Sequence, residues 1–369
     1  MTGPDPTSAE AKALEEAMRR LLSTRYDALA ARATDRGWPE PLWDSLAEMG
    51  VPWLGIAEER GGSGGGVAES ALAVRVAAEY AAPLPIAETA LLAGWALARA
   101  GLAVPEGAAL ACAIEPLRVR EHAGELIVSG AVRDVGWASH CEYLVAVCPT
   151  PERVVLLRTA DARIEPGANI AGEPRDHVTF DRARPIASAV LDPAVPDPTV
   201  LDPTEPDMAE PDMADRLLTR GAAARSIAIS GAADRVLDLC VEHARTRRQF
   251  GKPIGAFQAV AHLLARIAGA SVAAQGAVAL AVQSLHSDDM SLAAAAKTVA
   301  SEAAGTVAEL AHQVHGAIGM TREHDLHRYT RRLWAWRDEY GSDRYWARRT
   351  GSELIDTAAG EPWHDLVRT

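Results

Sequence analysis

Residues 245–264 read RTRRQFGKPIGAFQAVAHLL. A helical run, Ala222 to Ala244, leads into this stretch. Arg245, Arg247 and Arg248 stand at its end, where cations complement the exposed carbonyls of a helix C-terminus. Gly251, Pro253 and Gly255 then break the helix. A second apolar helix starts near Phe257 and runs to about Leu280. A cationic cluster and an aromatic ring are thus pinned at a helix–turn–helix corner, which suits an anionic ligand with a flat ring system. Pattern alone favours the plainer reading, a helical hairpin with a solvated basic end.

Outward from this corner the C-terminal part reads as helix. Ala214–Ala244 and Phe257–Leu280 form the hairpin, followed by helices over Ser291–Gly316, roughly Glu323–Arg337 and roughly Ser342–Ala358. Short loops between them predict antiparallel neighbours in a bundle. The run HQVHGAIGMT, His312 to Thr321, closes the third helix. His312 and His315 are three apart on one face. Glu323 and His324 are the residues that could extend them to a metal set, but a Gly-containing break intervenes and H-x-x-H lacks its usual Glu companion, so no metal centre is expected. Gly316 and Gly319 instead read as a helix C-cap and a turn that lets backbone approach a ligand.

Toward the N-terminus, Ser8 can cap a helix from Ala9, a second helix follows Pro39, and others span Glu69–Ala82 and Ile86–Ala100. Five of the six residues Gly61–Gly66 are glycine, but no G-K-[ST] follows and no strand–G-x-G-x-x-G–helix surrounds them, so a turn between helices is preferred to a phosphate loop. Near residue 106 the pattern changes. Leu126–Ser129, Tyr143–Cys148 and Arg153–Leu157 carry β-branched and apolar runs between breaks. Residues 191–215 hold six prolines, eight acidic residues and no basic one, the composition of an extended linker. The expected organisation is mainly α with a small β-domain: an N-terminal helical domain (1–105), a middle β-domain (106–190), an acidic Pro-rich linker (191–213) and a C-terminal four-to-five-helix bundle (214–369).

The 369 residues are 48% hydrophobic but only 5% aromatic, a balance that favours helices packed through small side chains. A net charge of −13 argues against generic nucleic-acid binding. Cys112, Cys141, Cys148 and Cys240 form no C-x-x-C pair and read as free thiols in a reducing compartment. No signal peptide opens the chain and no apolar run reads as membrane-spanning, so a cytoplasmic protein without a membrane partner is expected.

The pattern R-x-Q-F-G-K-P-I-x-x-F-Q-A-V-x-H, carried by Arg247, Gln249, Phe250, Gly251, Pro253, Ile254, Phe257, Gln258 and His262, resembles the corresponding corner of acyl-CoA dehydrogenases. Gln313, Gly316 and Gly319 are similar to that family's Q-x-x-G-G-x-G-[MY]-T, with Ala317 in place of the second glycine. Glu58 to Gly64 and Glu79 to Ala93 also resemble the family, particularly its shorter, divergent subunits. The resemblance implies a dimer of dimers with FAD shared across a subunit interface. Arg247 would neutralise pyrophosphate, Phe250 and Gln258 would lie by the cofactor, and Gln313, Gly316 and Gly319 would meet the adenosine and pyrophosphate of a flavin held by the neighbouring subunit. Trp137, in GAVRDVGWASHCEYLVAV, falls near the family position beside the flavin ring, although a buried core tryptophan fits equally.

The resemblance also implies a reaction: a carboxylate base takes the α-proton of an acyl-CoA, the β-hydride moves to flavin, and electrons leave through an electron-transfer flavoprotein. Counting from the G-M-T turn puts the base in DEYGS, with Glu339 the candidate and Asp338 the alternate; a helix-capping or surface carboxylate is the other reading of Glu339. Some family members place the base before the R-x-Q-F-G corner, which here lands near Gly221, with Asp215 about two turns away. Two departures stand out. Tyr340 interrupts the family's Glu-Gly-Thr, and AIEPLR, Ala113 to Arg118, replaces its T-E-x-x-x-G-S-D. Three readings follow: a self-sufficient FAD-dependent acyl-CoA dehydrogenase, working as a homo-oligomer; a weakly or non-catalytic subunit of a heterotetramer with a second such chain; or a flavin-free scaffold.

Overall fold

The computed structural model describes residues 9–30, 39–191 and 212–357. Ser8 and nearly all of the acidic linker lie outside these residues. Helices come first: α1 (Ala9–Ala30), α2 (Glu40–Ala47), α3 (Val67–Glu79) and α4 (Trp95–Arg99). Directly before α4, Glu88–Gly94 winds as a π-helix where the sequence predicts ordinary helix. The glycine run forms the expected turn, closed by a bridge between Ile56 and Gly64.

Eight strands follow: β1 (Leu110–Cys112), β2 (Arg118–His122), β3 (Glu125–Gly136), β4 (Tyr143–Pro149), β5 (Glu152–Arg158), β6 (Ala162–Glu165), β7 (Arg175–Ala183) and β8 (Ala187–Val190). They make two four-stranded sheets, ordered β1-β4-β5-β8 and β2-β3-β7-β6. The β1–β4 pair is parallel and every other pairing in these sheets is antiparallel. The sequence signalled β4 and β5, which are buried apolar runs, and only part of β3. It missed the charged strands RVREH and RDHVTFDRA, because their exposed positions break the apolar pattern.

The C-terminal layer holds α5 (Met213–Thr246), a ribbon of β9 (Arg248–Gln249) and β10 (Lys252–Pro253), then α6 (Gln258–Ser287), α7 (Met290–His315), α8 (Leu326–Trp336) and α9 (Asp343–Thr357). Helix α5 is the central element and is buried along most of its length, from Met213 through Ala244. Small residues let its neighbours close in. A Cβ on Gly231 would fall 2.2 Å from the carbonyl oxygen of Arg75 on α3, so only glycine permits this crossing. One apolar core runs from α1 through the sheets into the bundle, including Leu22, Leu92, Val145, Ile227 and Leu333.

Helix α6 corrects one expectation. It is long and apolar enough to cross a membrane by length and composition, yet only 22% of its most apolar window is buried within the chain. It packs against α5 and α7 and leaves Val272 63% exposed. An apolar helix with an uncovered face points to a partner surface.

Candidate functional site

The sequence-predicted residues fall in two places. Arg247 closes α5, and its N–H donates to His243 O at 2.9 Å. Phe250 sits at the tip of the β9–β10 ribbon with φ 50° and is 91% exposed. A phenylalanine in the left-handed region and bare to solvent is costly unless something covers it. Its ring meets Phe257 edge-on at 6.0 Å, and the Lys252 ammonium lies 4.4 Å above the Phe257 ring. Gln258, the first residue of α6, is exposed, as is Gln313, whose amide donates to Glu309 at 3.4 Å.

The two motifs meet through stacked imidazoles. His243, one turn before Arg247, lies 4.5 Å from His315, the last residue of α7. Gly316 caps α7 at φ 64°, and a Cβ there would touch nothing within 4 Å. Gly319 differs from expectation: it is buried, and a Cβ would fall 2.8 Å from His315 Cβ and 3.0 Å from Leu326 Cδ2. Its missing side chain makes room for the protein rather than for a ligand. Among the described residues the Arg247 guanidinium has no ion pair. A free guanidinium, an exposed ring and an open glycine on one shelf suit an anionic ligand with a flat ring system.

Trp137 is elsewhere. Bulges along β3 and a φ of 62° at Trp137 turn the chain inward, where the indole is buried beside Glu88, Arg225 and Trp336. Arg225 and Arg247 are 22 residues apart on α5, or about 33 Å. Trp137 therefore belongs to the cleft between the three layers, while Arg247, Phe250, Gln258, Gln313 and Gly316 form an outward shelf at the bundle end.

That cleft is filled by charge. The Glu339 carboxylate accepts from Arg175 Nε (2.9 Å) and Nη2 (2.7 Å), from Arg225 Nε (2.7 Å) and from Asn169 Nδ2 (2.8 Å). Arg225 Nη2 donates to Glu88 at 2.6 Å, so the π-helix aims its first residue into the cluster. Glu173 accepts from Arg332 Nε and Trp336 Nε1, both at 2.9 Å. Three carboxylates and three guanidiniums balance, and each carboxylate has a charged donor. About 30 Å³ of free space remains beside them, room for about one water and far below the ~300 Å³ floor for ligand pockets.

Burial alone would raise the Glu339 carboxyl, but Arg175 and Arg225 outweigh burial and hold it far below the usual carboxylate range. A carboxylate so held is a poor proton acceptor. Asp338 is exposed, beside Arg337 at 3.6 Å. Asp215 pairs with Arg349 at 3.1 Å. Reading Gly341–Ser342 in register with the family's Gly-Thr puts Tyr340 where the Glu would stand. The Tyr340 ring packs on Gly221, where a Cβ would lie 2.4 Å from its Cδ1. Neither sequence position considered for a base thus brings a free carboxylate to the cleft. Lys297, buried in α7 and pushed down to about 7 by burial, donates to the carbonyls of Trp336 (2.9 Å) and Arg337 (2.7 Å) and moors this turn.

The sequence reading missed Glu88, Asn169, Glu173, Arg175 and Arg225, and saw Arg332 only as one of a run of basic residues that could pair with acids in the bundle. One signal was available: Arg220 and Arg225 interrupt the apolar run of α5, and an arginine inside a buried helix needs a partner. The cluster has a pH signature. Glu173, like Glu339, is held low, its burial being outweighed by Arg332 and Arg175. Below about pH 5 the unfolded chain, with carboxyls near 4.3, binds protons that these folded carboxylates refuse, so stability falls as pH falls. Melting curves from pH 7 to 4 should show Tm falling ever more steeply, and Glu339→Gln should flatten that slope; an unchanged slope would remove Glu339 from the cause.

Comparison with known proteins agrees with this architecture. The acyl-CoA dehydrogenase N-terminal domain model matches residues 8–103 and the C-terminal domain model residues 212–344. Acyl-CoA dehydrogenase IpdE2 of Mycobacterium tuberculosis is 32% identical over 361 residues, covering 97% of this chain and all of the relative. IpdE2 of Mycolicibacterium smegmatis is 30% identical, covering 94% and 100%. Among solved structures, the ChsE4-ChsE5 complex of Mycobacterium tuberculosis superimposes with a TM-score of 0.78 at 25% identity, covering 96% of this chain and all of the matched one. The chain belongs to the acyl-CoA dehydrogenase family of oxidoreductases, whose members generally bind FAD.

Proposed function

We propose that this chain is the base-less subunit of a heteromeric acyl-CoA dehydrogenase, and that it completes the flavin site of a second, similar chain. The observation that carries the reading is the filled cleft: Glu339 is locked by Arg175, Arg225 and Asn169, and the Tyr340 ring lies on Gly221. The outward shelf is the part that works. Arg247 neutralises pyrophosphate, Gln313 hydrogen-bonds the adenosine end, and Phe250 covers the cofactor from the side. FAD, when bound there, supplies the acceptor for the β-hydride of the acyl-CoA thioester. The partner chain supplies the carboxylate that takes the α-proton and the walls of the acyl pocket, and an electron-transfer flavoprotein receives the electrons. The uncovered apolar face of α6 offers area for the subunit contact. The solved ChsE4-ChsE5 structure is a complex of two such chains, which supports the heteromeric reading by analogy.

The test is to express the chain alone and together with a second acyl-CoA dehydrogenase-like chain, recording visible absorbance against mass. The expected result is a colourless or poorly soluble chain alone, and a yellow complex with one FAD for every two chains. A tetramer of this chain alone, carrying one FAD per chain and oxidising acyl-CoA, would overturn the reading.

A further inference from the structure

We propose that His243, His315 and His324 form a site for one divalent transition-metal ion of borderline softness, Zn²⁺ foremost, that ties together the ends of α5 and α7 and the turn before α8. The three residues come from separate elements and converge. Their ligand nitrogens all lie within 4.8 Å of one another. The His315 ring stacks on His243 at 4.5 Å and 24°, so one of these two rings turns for both in-plane lone pairs to reach one ion, and it meets His324 at 4.6 Å and 65°.

His315 is set up as a ligand. Its Nδ1 lies 2.9 Å from the carbonyl oxygen of Ala311, which only accepts, so the proton sits on Nδ1 and Nε2 carries a lone pair. That Nε2 is buried without a hydrogen-bond partner, in a residue only 5% exposed. A metal-bound histidine typically donates its other ring N–H to a carbonyl in this way.

The ligand set selects the ion. Three imidazoles without a carboxylate suit Zn²⁺, Cu²⁺, Ni²⁺ or Co²⁺ and disfavour Mg²⁺ and Ca²⁺. Cys240 Sγ lies 3.9 Å from His315 Nδ1, on the side of the ring away from the ligating Nε2, which leaves the fourth position to water. His243 and His324 are half-buried, which opens a route from solvent. Tetrahedral coordination with Zn–N of about 2.0 Å needs the nitrogens about 3.3 Å apart, so the rings draw inward. If His324 binds through Nε2, its Nδ1 takes up the proton and gives up the hydrogen bond it now accepts from Leu326 N–H at 3.1 Å. The sequence offered His312 and His315, with Glu323 and His324 beyond a break, and led to no expected metal centre. His312 Nε2 instead meets the Thr330 hydroxyl at 2.9 Å, and the ligand the sequence could not supply, His243, comes from 72 residues upstream of His315.

The test uses tag-free protein, with its partner chain if one co-purifies, stripped by chelator and titrated with Zn²⁺ by calorimetry and thermal melting. It needs neither FAD nor acyl-CoA, so its failure is separate from that of the proposed function. Saturable binding of one Zn²⁺ per chain with a raised Tm is expected. His243→Gln and His324→Gln should each weaken binding by at least about tenfold, while His122→Gln on exposed β2 should not. No saturation at millimolar Zn²⁺, or binding that survives the double substitution, would overturn the site. Should the substitutions cost the fold, the Co²⁺ form of the unmodified protein decides: intense visible bands of a tetrahedral nitrogen-ligated ion are expected, and a weak octahedral spectrum would refute the proposal.

Discussion

Glu339→Gln should destabilise the chain before it disables any reaction. The substitution would leave Arg175 and Arg225 facing a neutral amide in a nearly dry cleft, where removing one partner of a buried pair costs about 3 kcal/mol. For a chain of this length that is a fall in Tm of about 4 °C. Turnover by the complex, normalised to folded protein, should change by less than the roughly 10²–10⁴-fold that losing a general base entails. The loss should also be shared. Arg225→Gln also strips a donor from Glu88 and Glu339, so the double substitution should cost less than the sum of the two singles, as groups in one network do. A loss of kcat beyond a hundredfold with an unmoved Tm would make Glu339 the base after all.

This outcome depends on a distinction that the primary sequence carries only in part. The corner at Arg247–Gln258 was legible because its chemistry is local: the arginine, the glycine turn and the aromatic ring lie within a dozen residues. The π-helix before α4 was not, since one extra residue per turn leaves the apolar pattern nearly intact. The role of Glu339 was beyond the sequence for a physical reason. A carboxylate works as a base when its surroundings raise its pKa and as a structural anion when they lower it. The residues that decide here, Arg175 on β7 and Arg225 on α5, are 164 and 114 positions away. Tyr340 was the visible clue. A bulky phenol in place of the family's carboxylate needs space, and Gly221, equally far away in sequence, provides it. Tyr340 and Gly221 thus fit one another, a bulky ring against a residue without a side chain. The histidine cluster follows the same logic. His312-x-x-His315 suggests a pair along one helix, whereas the fold pairs His315 with residues from two other elements.

Arg247→Ala should strip flavin from the complex while leaving this chain folded. The guanidinium has no ion pair among the described residues, so its removal exposes no buried charge, and stability without flavin should move by no more than about 0.5 kcal/mol. Toward FAD the loss should be large. Charge-assisted hydrogen bonds to phosphate are worth about 1.5–3 kcal/mol, or a roughly 10- to 100-fold weaker hold on the cofactor. Gel filtration of the co-purified complex, with absorbance read per mass of protein, measures this directly. Arg247→Lys should fall between, because a lysine keeps the charge but not the planar fork that spans two oxygens. Raising the salt should release flavin from the unmodified complex more steeply than from the alanine variant, since the shelf is exposed and its charge is screened. Phe250→Ser separates charge from cover: it should loosen the cofactor without changing that salt slope, because an exposed ring contributes area rather than charge. If FAD stays bound at full occupancy in Arg247→Ala, the shelf is not half of a flavin site. The exposed Phe250 would then have to be explained by a protein partner seated on the β9–β10 ribbon.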